Sequence, residues 1–412
     1  MRKVASIFLC MALILVFTNC ERDHTAFPTK GDETIEARSL TAEEQLLIES
    51  DTNFGLTLFR ELSATQTESN IFISPLSVAM ALGMTLNGAS GETYTAMKNT
   101  LELQGLTEEQ INQSFQSLIE LLTNLDQDVI FEIANSIWIR LGYPVLNEFK
   151  ETNQTYFDAE IRELDFSLPE AVDIINGWIS DKTHGKIENA LDRIDPLAML
   201  YLINAIYFKG TWTYQFEEAD TYDAQFSKED GTLVSCKMMR IEQDLAYWRG
   251  DDVQILDLPY GNGKFSMTII LPDYGKTVDE IIATMTPDKW TQWLGNLYTT
   301  ALTIGLPRFK LEYDILLNDI LEALGMGVAF SDFADFSRIN PDGDLYISRV
   351  IHKTFVDVNE EGTEAAAVTI VEICETSIGK MMIMDRPFIF AIRENHSNTI
   401  LFIGKLVEPP AE

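Results

Sequence analysis

Apolar residues at helical spacing dominate the first half of the chain, and strand-like patterns dominate the second. Leu46, Leu47, Phe54, Leu58 and Phe59 follow a Thr41-Ala-Glu-Glu capping box, which predicts a helix from about residue 41. Ser74-Pro75 opens a second helix, over 76–86, so uniformly apolar that it should be buried all round; it ends at Gly88 to Gly91. Further helices are predicted over 92–101, 107–125, 146–156 and 169–184, with an alternating strand at 129–139. The continuous apolar run 199–209 reads as a central strand. From 224 to 271 strands alternate with turns such as 228–231 and 260–263. A short helix at 278–285, a strand at 302–311, a helix at 313–324 and a helical turn plus strand over 345–358 follow. Two strands, 388–393 and 401–406, end the pattern around a connection at 395–398. The sequence shows no internal repeat and no second linker, so the expectation is one domain of the α+β class.

One stretch departs from this order. Residues 355–377 read F-V-D-V-N-E-E-G-T-E-A-A-A-V-T-I-V-E-I-C-E-T-S. It opens as a strand, turns at Gly362, and then runs through three alanines into β-branched residues. In a strand, alternate residues face opposite sides. One parity holds Thr363, Ala365, Ala367, Thr369, Val371 and Ile373, with no charge; the other holds Glu364, Ala366, Val368, Ile370, Glu372 and Cys374, with both carboxylates. Such a segment suits a sheet with one face buried and the other wet. A helix through the alanines joined to a buried strand is the alternative that this pattern leaves open.

Charge and cysteines narrow the class. Lys plus Arg number 30 and Asp plus Glu 64, a formal charge of −34, which repels phosphate backbones and argues against nucleic-acid binding. Cys10, Cys20, Cys236 and Cys374 form no disulfide framework, and no clustered His/Cys set suggests a metal or cofactor. Residues 1–20 read as an export signal: Arg2 and Lys3 precede an apolar stretch too short for a stable membrane span. The segment ends F-T-N-C, which resembles a bacterial lipoprotein cleavage box with Cys20 as the lipidated residue, although Phe17 and Asn19 depart from the usual pattern. Residues 21–39 are polar and read as a flexible tether, so the folded domain is expected over 40–412. The expected place is outside a bacterial cell, lipid-anchored in the outer membrane and facing periplasm or surface, or else secreted.

Catalytic motifs are missing. Gly275-Lys276-Thr277 lacks the first glycine of a phosphate loop, because position 270 is Ile270. The sequence holds neither G-x-S-x-G nor H-E-x-x-H. A dispersed Ser/His/Asp set stays open on sequence alone, with Ser74 and His352 as its members.

The segment 360–367, E-E-G-T-E-A-A-A, resembles the proximal hinge of the serpins, the family of suicide protease inhibitors. N-I-F-I-S-P-L-S at 70–77, L-I-N-A-I-Y-F-K-G-T-W at 202–212 and M-D-R-P-F-I-F-A-I at 384–392 are similar to three further stretches of that family, in the family's order. The likeness runs from about residue 48 to Pro409. It implies helices packed on a large mixed β-sheet plus smaller sheets, with an exposed reactive-centre loop. The hinge would be Glu360, Glu361, Gly362, Thr363, Glu364, Ala365, Ala366 and Ala367. Ser74, Ser77, Asn204 and His352 match a buried polar cluster beneath the main sheet where strands part, and Trp212 matches a ring under its upper end. Counting as serpins are counted from Gly362 places the scissile bond between Thr376 and Ser377. Thr376 is small and neutral, so the implied partner is an elastase-like or subtilisin-like serine protease, with a cysteine protease as a lesser alternative. Some serpins carry a basic polyanion site where this chain, over 98–128, holds many carboxylates and a single lysine, so no heparin-type partner is expected. The expected state is a monomer, not an enzyme, that traps its target; the alternative is a serpin that binds or carries without trapping.

Overall fold

The computed structural model describes residues 38–123, 125–250, 252–363 and 380–410. Helix α1 (Ala42–Thr65) begins where Thr41 and Glu44 cap one another, as the sequence pattern requires. The short β1 (Ile71–Ile73) leads into α2 (Pro75–Leu86), capped by Ser74 and started by Pro75. Next come α3 (Gly91–Thr100), α4 (Glu108–Thr123), β2 (Val129–Arg140), α5 (Asn147–Phe157), β3 (Glu160–Leu164), α6 (Ala171–Lys182) and β4 (Leu200–Thr211). The strand-rich part holds β5 (Tyr222–Ser227), β6 (Leu233–Arg249), β7 (Val253–Tyr260), β8 (Phe265–Pro272), α7 (Val278–Ala283), α8 (Pro287–Gly295), β9 (Tyr298–Pro307) and β10 (Phe309–Leu316). The last elements are α9 (Asn318–Leu321), β11 (Ile351–Val358), β12 (Gly362–Thr363), β13 (Lys380–Ile383), β14 (Phe388–Glu394) and β15 (Ile400–Leu406).

The strands form two mixed sheets. One runs β1-β15-β14-β8-β7-β6-β9-β13, with β5 also on β6; the other runs β10-β11-β12-β4-β2-β3. Helix α2 packs against β15 of the first and β4 of the second, so its all-apolar sequence has a physical reason: it is shared by both sheets. Every residue of β14 and β15 is buried. Their rings stack on Phe72 of β1, with Phe390 and Phe402 centred 5.5 and 5.1 Å away. The buried charges of these strands are satisfied: Arg393 pairs with Asp257 and bonds Thr268, Lys405 pairs with Asp279 at 2.8 Å, and the Glu394 carboxylate accepts from the His396 and Ser397 backbone N–H groups.

Residues 313–324, read from sequence as a helix, begin as a strand and become helical only from Asn318. Phe309 to Leu316 pair with Val358 to Ile351 in one antiparallel ladder, and the four residues of α9 run into a π-helical turn, Glu322–Met326, distorted at Gly325, with φ of 109°. The apolar residues 309, 311, 313 and 315 alternate, a period of two that mixed with the following Leu run and looked helical. The helical turn expected near 345–350 does not form. Strand β3 and helix α8 were not anticipated, although Thr286-Pro287 is a readable start signal.

Candidate functional site

The site is the seam between β4 and β11. In the sheet order these strands flank β12, which is only two residues long. Gly362 pairs with Thr211 and Thr363 with Gly210 on one side, and Thr363 pairs with Val358 on the other. Strand β4 has twelve residues and β11 eight, so most of their facing edges lie beyond the reach of β12.

The upper end is tightly bonded. The Trp212 backbone N–H donates to the Glu361 carbonyl at 2.9 Å, and its indole N–H to the Asn359 carbonyl at 2.9 Å. Its ring stacks on Tyr260 at 4.3 Å, nearly parallel. The Tyr260 hydroxyl shares a 2.8 Å hydrogen bond with the Thr363 hydroxyl, and burial pushes that phenol well above its ordinary range. Glu360 is buried; its carboxylate accepts from the Thr221 hydroxyl at 2.8 Å and lies 3.6 Å from Arg308. Backbones meet here without side chains between them: a Cβ on Gly362 would stand 2.2 Å from the Gly210 carbonyl oxygen. A Cβ on Gly210 would press within 2.9 Å of the Tyr260 ring.

Below this closure the strands part around a cavity of about 460 Å³. Its walls include β4 at 200–206, β11 at 351–354, the connections at 195–199 and 344–350, Ser74, and the α2 face bearing Ser77 and Leu82. The His352 ring nitrogen Nε2 accepts from the Ser74 backbone N–H at 2.9 Å. The Ser74 hydroxyl donates to the Leu401 carbonyl at 2.7 Å and accepts from the Ser77 backbone N–H at 3.2 Å. His352 is buried with no carboxylate on it, so burial lowers its pKa to about 4 and keeps it neutral. Asn204 also lines the cavity but bonds sideways, donating to Asn135 Oδ1 on β2 at 2.9 Å. Its own Oδ1 is buried without a partner among the described residues.

Ser74, Ser77 and His352 thus form one bonded set; Asn204 shares their cavity and is not bonded to them. Trp212, Glu360, Glu361, Gly362 and Thr363 meet at the upper end. Glu364, Ala365, Ala366, Ala367, Cys374, Thr376, Ser377 and Cys20 lie outside the described residues. Sequence reading missed Tyr260, Asn359 and Asn135. Tyr260 was read as part of a turn, and only its place at the end of a largely apolar strand hinted at burial. Ser74 and His352 also do not make a nucleophile and base: the serine hydroxyl points to Leu401, and the histidine holds a backbone N–H.

Residues 49–409 match the family described as Serpin (serine protease inhibitor). The chain belongs to the serpin family. Serpins are protease inhibitors, and this chain is not an enzyme. Leukocyte elastase inhibitor from Sus scrofa is 37% identical over 374 residues, covering 87% of this chain and 98% of its own. Among solved structures, the native state of tengpin, a thermophilic serpin, has a TM-score of 0.82 at 34% identity, over 91% of this chain and 96% of its own. Human thyroxine-binding globulin has a TM-score of 0.83 at 28% identity, over 90% and 100%. The serpin fold is therefore shared with proteins named as an elastase inhibitor and as a thyroxine-binding globulin.

Proposed function

We propose that this serpin is a suicide inhibitor of serine proteases with small primary pockets, elastase-like or subtilisin-like. The observation that carries the reading is the seam: β12 already stands as the first two residues of a strand between β4 and β11, above an unfilled cavity. The target's serine attacks the Thr376 carbonyl carbon, the Thr376–Ser377 bond breaks, Ser377 leaves as a free amine, and an acyl-enzyme ester remains. The freed segment then continues β12 down the seam. Thirteen residues, 364 to 376, span roughly 43 Å at about 3.3 Å each, so the tethered protease travels that order of distance. Dragging the ester about 1 Å out of line slows its hydrolysis by about a hundredfold or more.

The register supports insertion. Continuing Thr363↔Gly210 and Thr363↔Val358 brings residue 369 opposite Asn204 on β4 and His352 on β11. Thr369 would then arrive with its hydroxyl facing the buried, unpartnered Asn204 Oδ1, and a group left unsatisfied in the uncut form would gain a donor. The same parity sends Ala365 and Ala367 inward and Glu364 and Glu372 outward, so no charge enters the core. The non-trapping alternative has a structural neighbour in thyroxine-binding globulin. Mixing the protein with pancreatic elastase and running a denaturing gel separates the two: a band that survives boiling means trapping, and clean cleavage without it overturns the proposal. Export with a lipid on Cys20 belongs to the same reading; full-length protein that partitions into detergent equally well with Cys20→Ser would overturn the anchor.

A further inference from the structure

We propose that the turn after α6, residues 183–186, is a clasp across the seam, and that a proton taken up by His184 tightens it. Acid then slows the parting of β4 and β11. The consequence for trapping rests on the inhibitory reading above; the clasp itself does not. Helix α6 ends at Lys182, and the chain turns through two left-handed residues, His184 with φ of 50° and Gly185 with φ of 76°. Glycine adopts that conformation freely, whereas a histidine there carries a strain that the turn's own bonds must hold. The Gly185 N–H donates to the Ser180 carbonyl at 2.8 Å and the Lys186 N–H to the Thr183 carbonyl at 2.9 Å. The Ile187 N–H donates to the Thr183 hydroxyl at 3.1 Å.

The turn stands on both banks of the seam at one level. His184 Nε2 lies 2.9 Å from Glu132 Oε2 on β2, and its ring is centred 4.3 Å from that of Tyr207 on β4. Glu132 and Tyr207 pair with one another, so both contacts fall in a single row of the sheet. On the other bank the Lys186 ammonium lies 5.2 Å from the centre of the Phe355 ring on β11. Gly210 and Val358 are the two partners of Thr363; Tyr207 lies three residues before Gly210, and Phe355 three before Val358. The two legs therefore face each other just beneath β12. Thr183, Lys186, Tyr207, Phe355 and Thr363 line one small pocket there. For β4 and β11 to separate, one leg must let go.

The His184 leg is the one whose strength depends on a proton, because histidine is the side chain whose charge ordinarily changes between about pH 5 and 8. A neutral imidazole protonated at Nε2 donates one hydrogen bond to the Glu132 carboxylate. An imidazolium makes that bond charge-assisted and sets a cation beside the Tyr207 ring. It also stands at the carboxyl end of α6, where positive charge is favoured. The further charges around it are mixed. Lys182 and Lys186 on its own segment, and Lys209 two residues from Tyr207 on β4, oppose the proton. Asp181 on α6, and Asp357 two residues from Phe355 on β11, favour it. Glu132 is the carboxylate at hydrogen-bond distance. Both side chains of the pair are about half exposed, so solvent keeps the effect modest.

The test compares the whole, uncut protein with His184→Asn, since asparagine tolerates the left-handed backbone, and with Glu132→Gln. Amide hydrogen exchange of residues 183–187 is followed from about pH 8 to about pH 5.5, with the variants at each pH as the reference for intrinsic exchange. The inference expects the parent to gain about threefold in protection over His184→Asn as pH falls, and expects Glu132→Gln to abolish the gain. Elastase trapping should follow: parent and His184→Asn equal near pH 8, and the parent about threefold slower in acid. Identical pH courses in parent and His184→Asn, or a gain that survives Glu132→Gln, would overturn the clasp. A turn that tightens in acid while the two proteins trap at one rate would overturn its hold on the seam. Exchange is read on protein that no protease has touched, so failure of the clasp is distinct from failure of the inhibitory reading.

Discussion

The two ends of one seam behave differently. At the top, β4 and β11 are joined through Gly362 and Thr363, the Trp212 indole and the Tyr260 and Thr363 hydroxyls have short bonds, and two glycines let backbones meet. Lower down the same two strands stand apart around about 460 Å³, with a neutral buried histidine and an orphaned amide oxygen in the wall. Dense packing is the rule for interiors, and a gap of this size costs stability. On the inhibitory reading proposed above, the upper end would fix the register of an incoming strand and the lower end would be filled by it.

The largest effect should come from breaking the upper end. Thr363 is 4% exposed and bonded to Tyr260 in the uncut chain, so Thr363→Arg would put a charge into this closed end and drive β12 out of the seam. Titration of elastase with this variant should show the inhibitor cut like an ordinary substrate, with about tenfold or more consumed per protease inactivated. A stoichiometry equal to that of the parent would mean the upper end does not gate entry.

A middle-sized effect concerns the lower end and pH. His352 has a pKa near 4 in the folded chain against an ordinary value of 6.5, so between those values the unfolded chain takes up a proton that the folded chain refuses. Stability of the uncut protein should therefore fall as pH drops from about 6.5 to 4, by up to about 3 kcal/mol, and be unaffected by this group above 7. Denaturant midpoints measured across that range for the parent and His352→Gln would show it: the variant should lose that slope.

The smallest effect comes from filling the gap. Ala81 lines the cavity from α2. Ala81→Leu should raise the stability of uncut protein by about 1 kcal/mol and slow trapping, because the strand would have to displace the new side chain. A stabilised variant with an unchanged inhibition rate would argue that the gap is not the path.

Much of this was legible in the chain. The uniform apolarity of α2, the continuous run 199–209 and the pair of C-terminal strands each mark a largely apolar element, and they form where expected. Of the hinge, Thr363 is buried, and the positions from 364 onward lie outside the described residues. The seam was not legible. That Asn204 turns to Asn135 rather than to His352 depends on which strand lies beside β4, and pairing partners are not written in local periodicity. Tyr260 escaped notice because its role comes from Trp212 and Thr363, which lie 48 and 103 residues away in the chain. Strand β10 was misread because its alternation runs directly into a leucine-rich turn of helix.

The central claim is that the uncut molecule is not in its most stable form, and the most direct measurement is to nick the purified protein between Thr376 and Ser377 and compare melting before and after. The account expects the nicked chain to melt far higher than the intact one, with residues 364–376 seated between β4 and β11 and Thr369 in the row of Asn204 and His352. A nicked chain with an unchanged melting temperature, and a seam still parted, would contradict it.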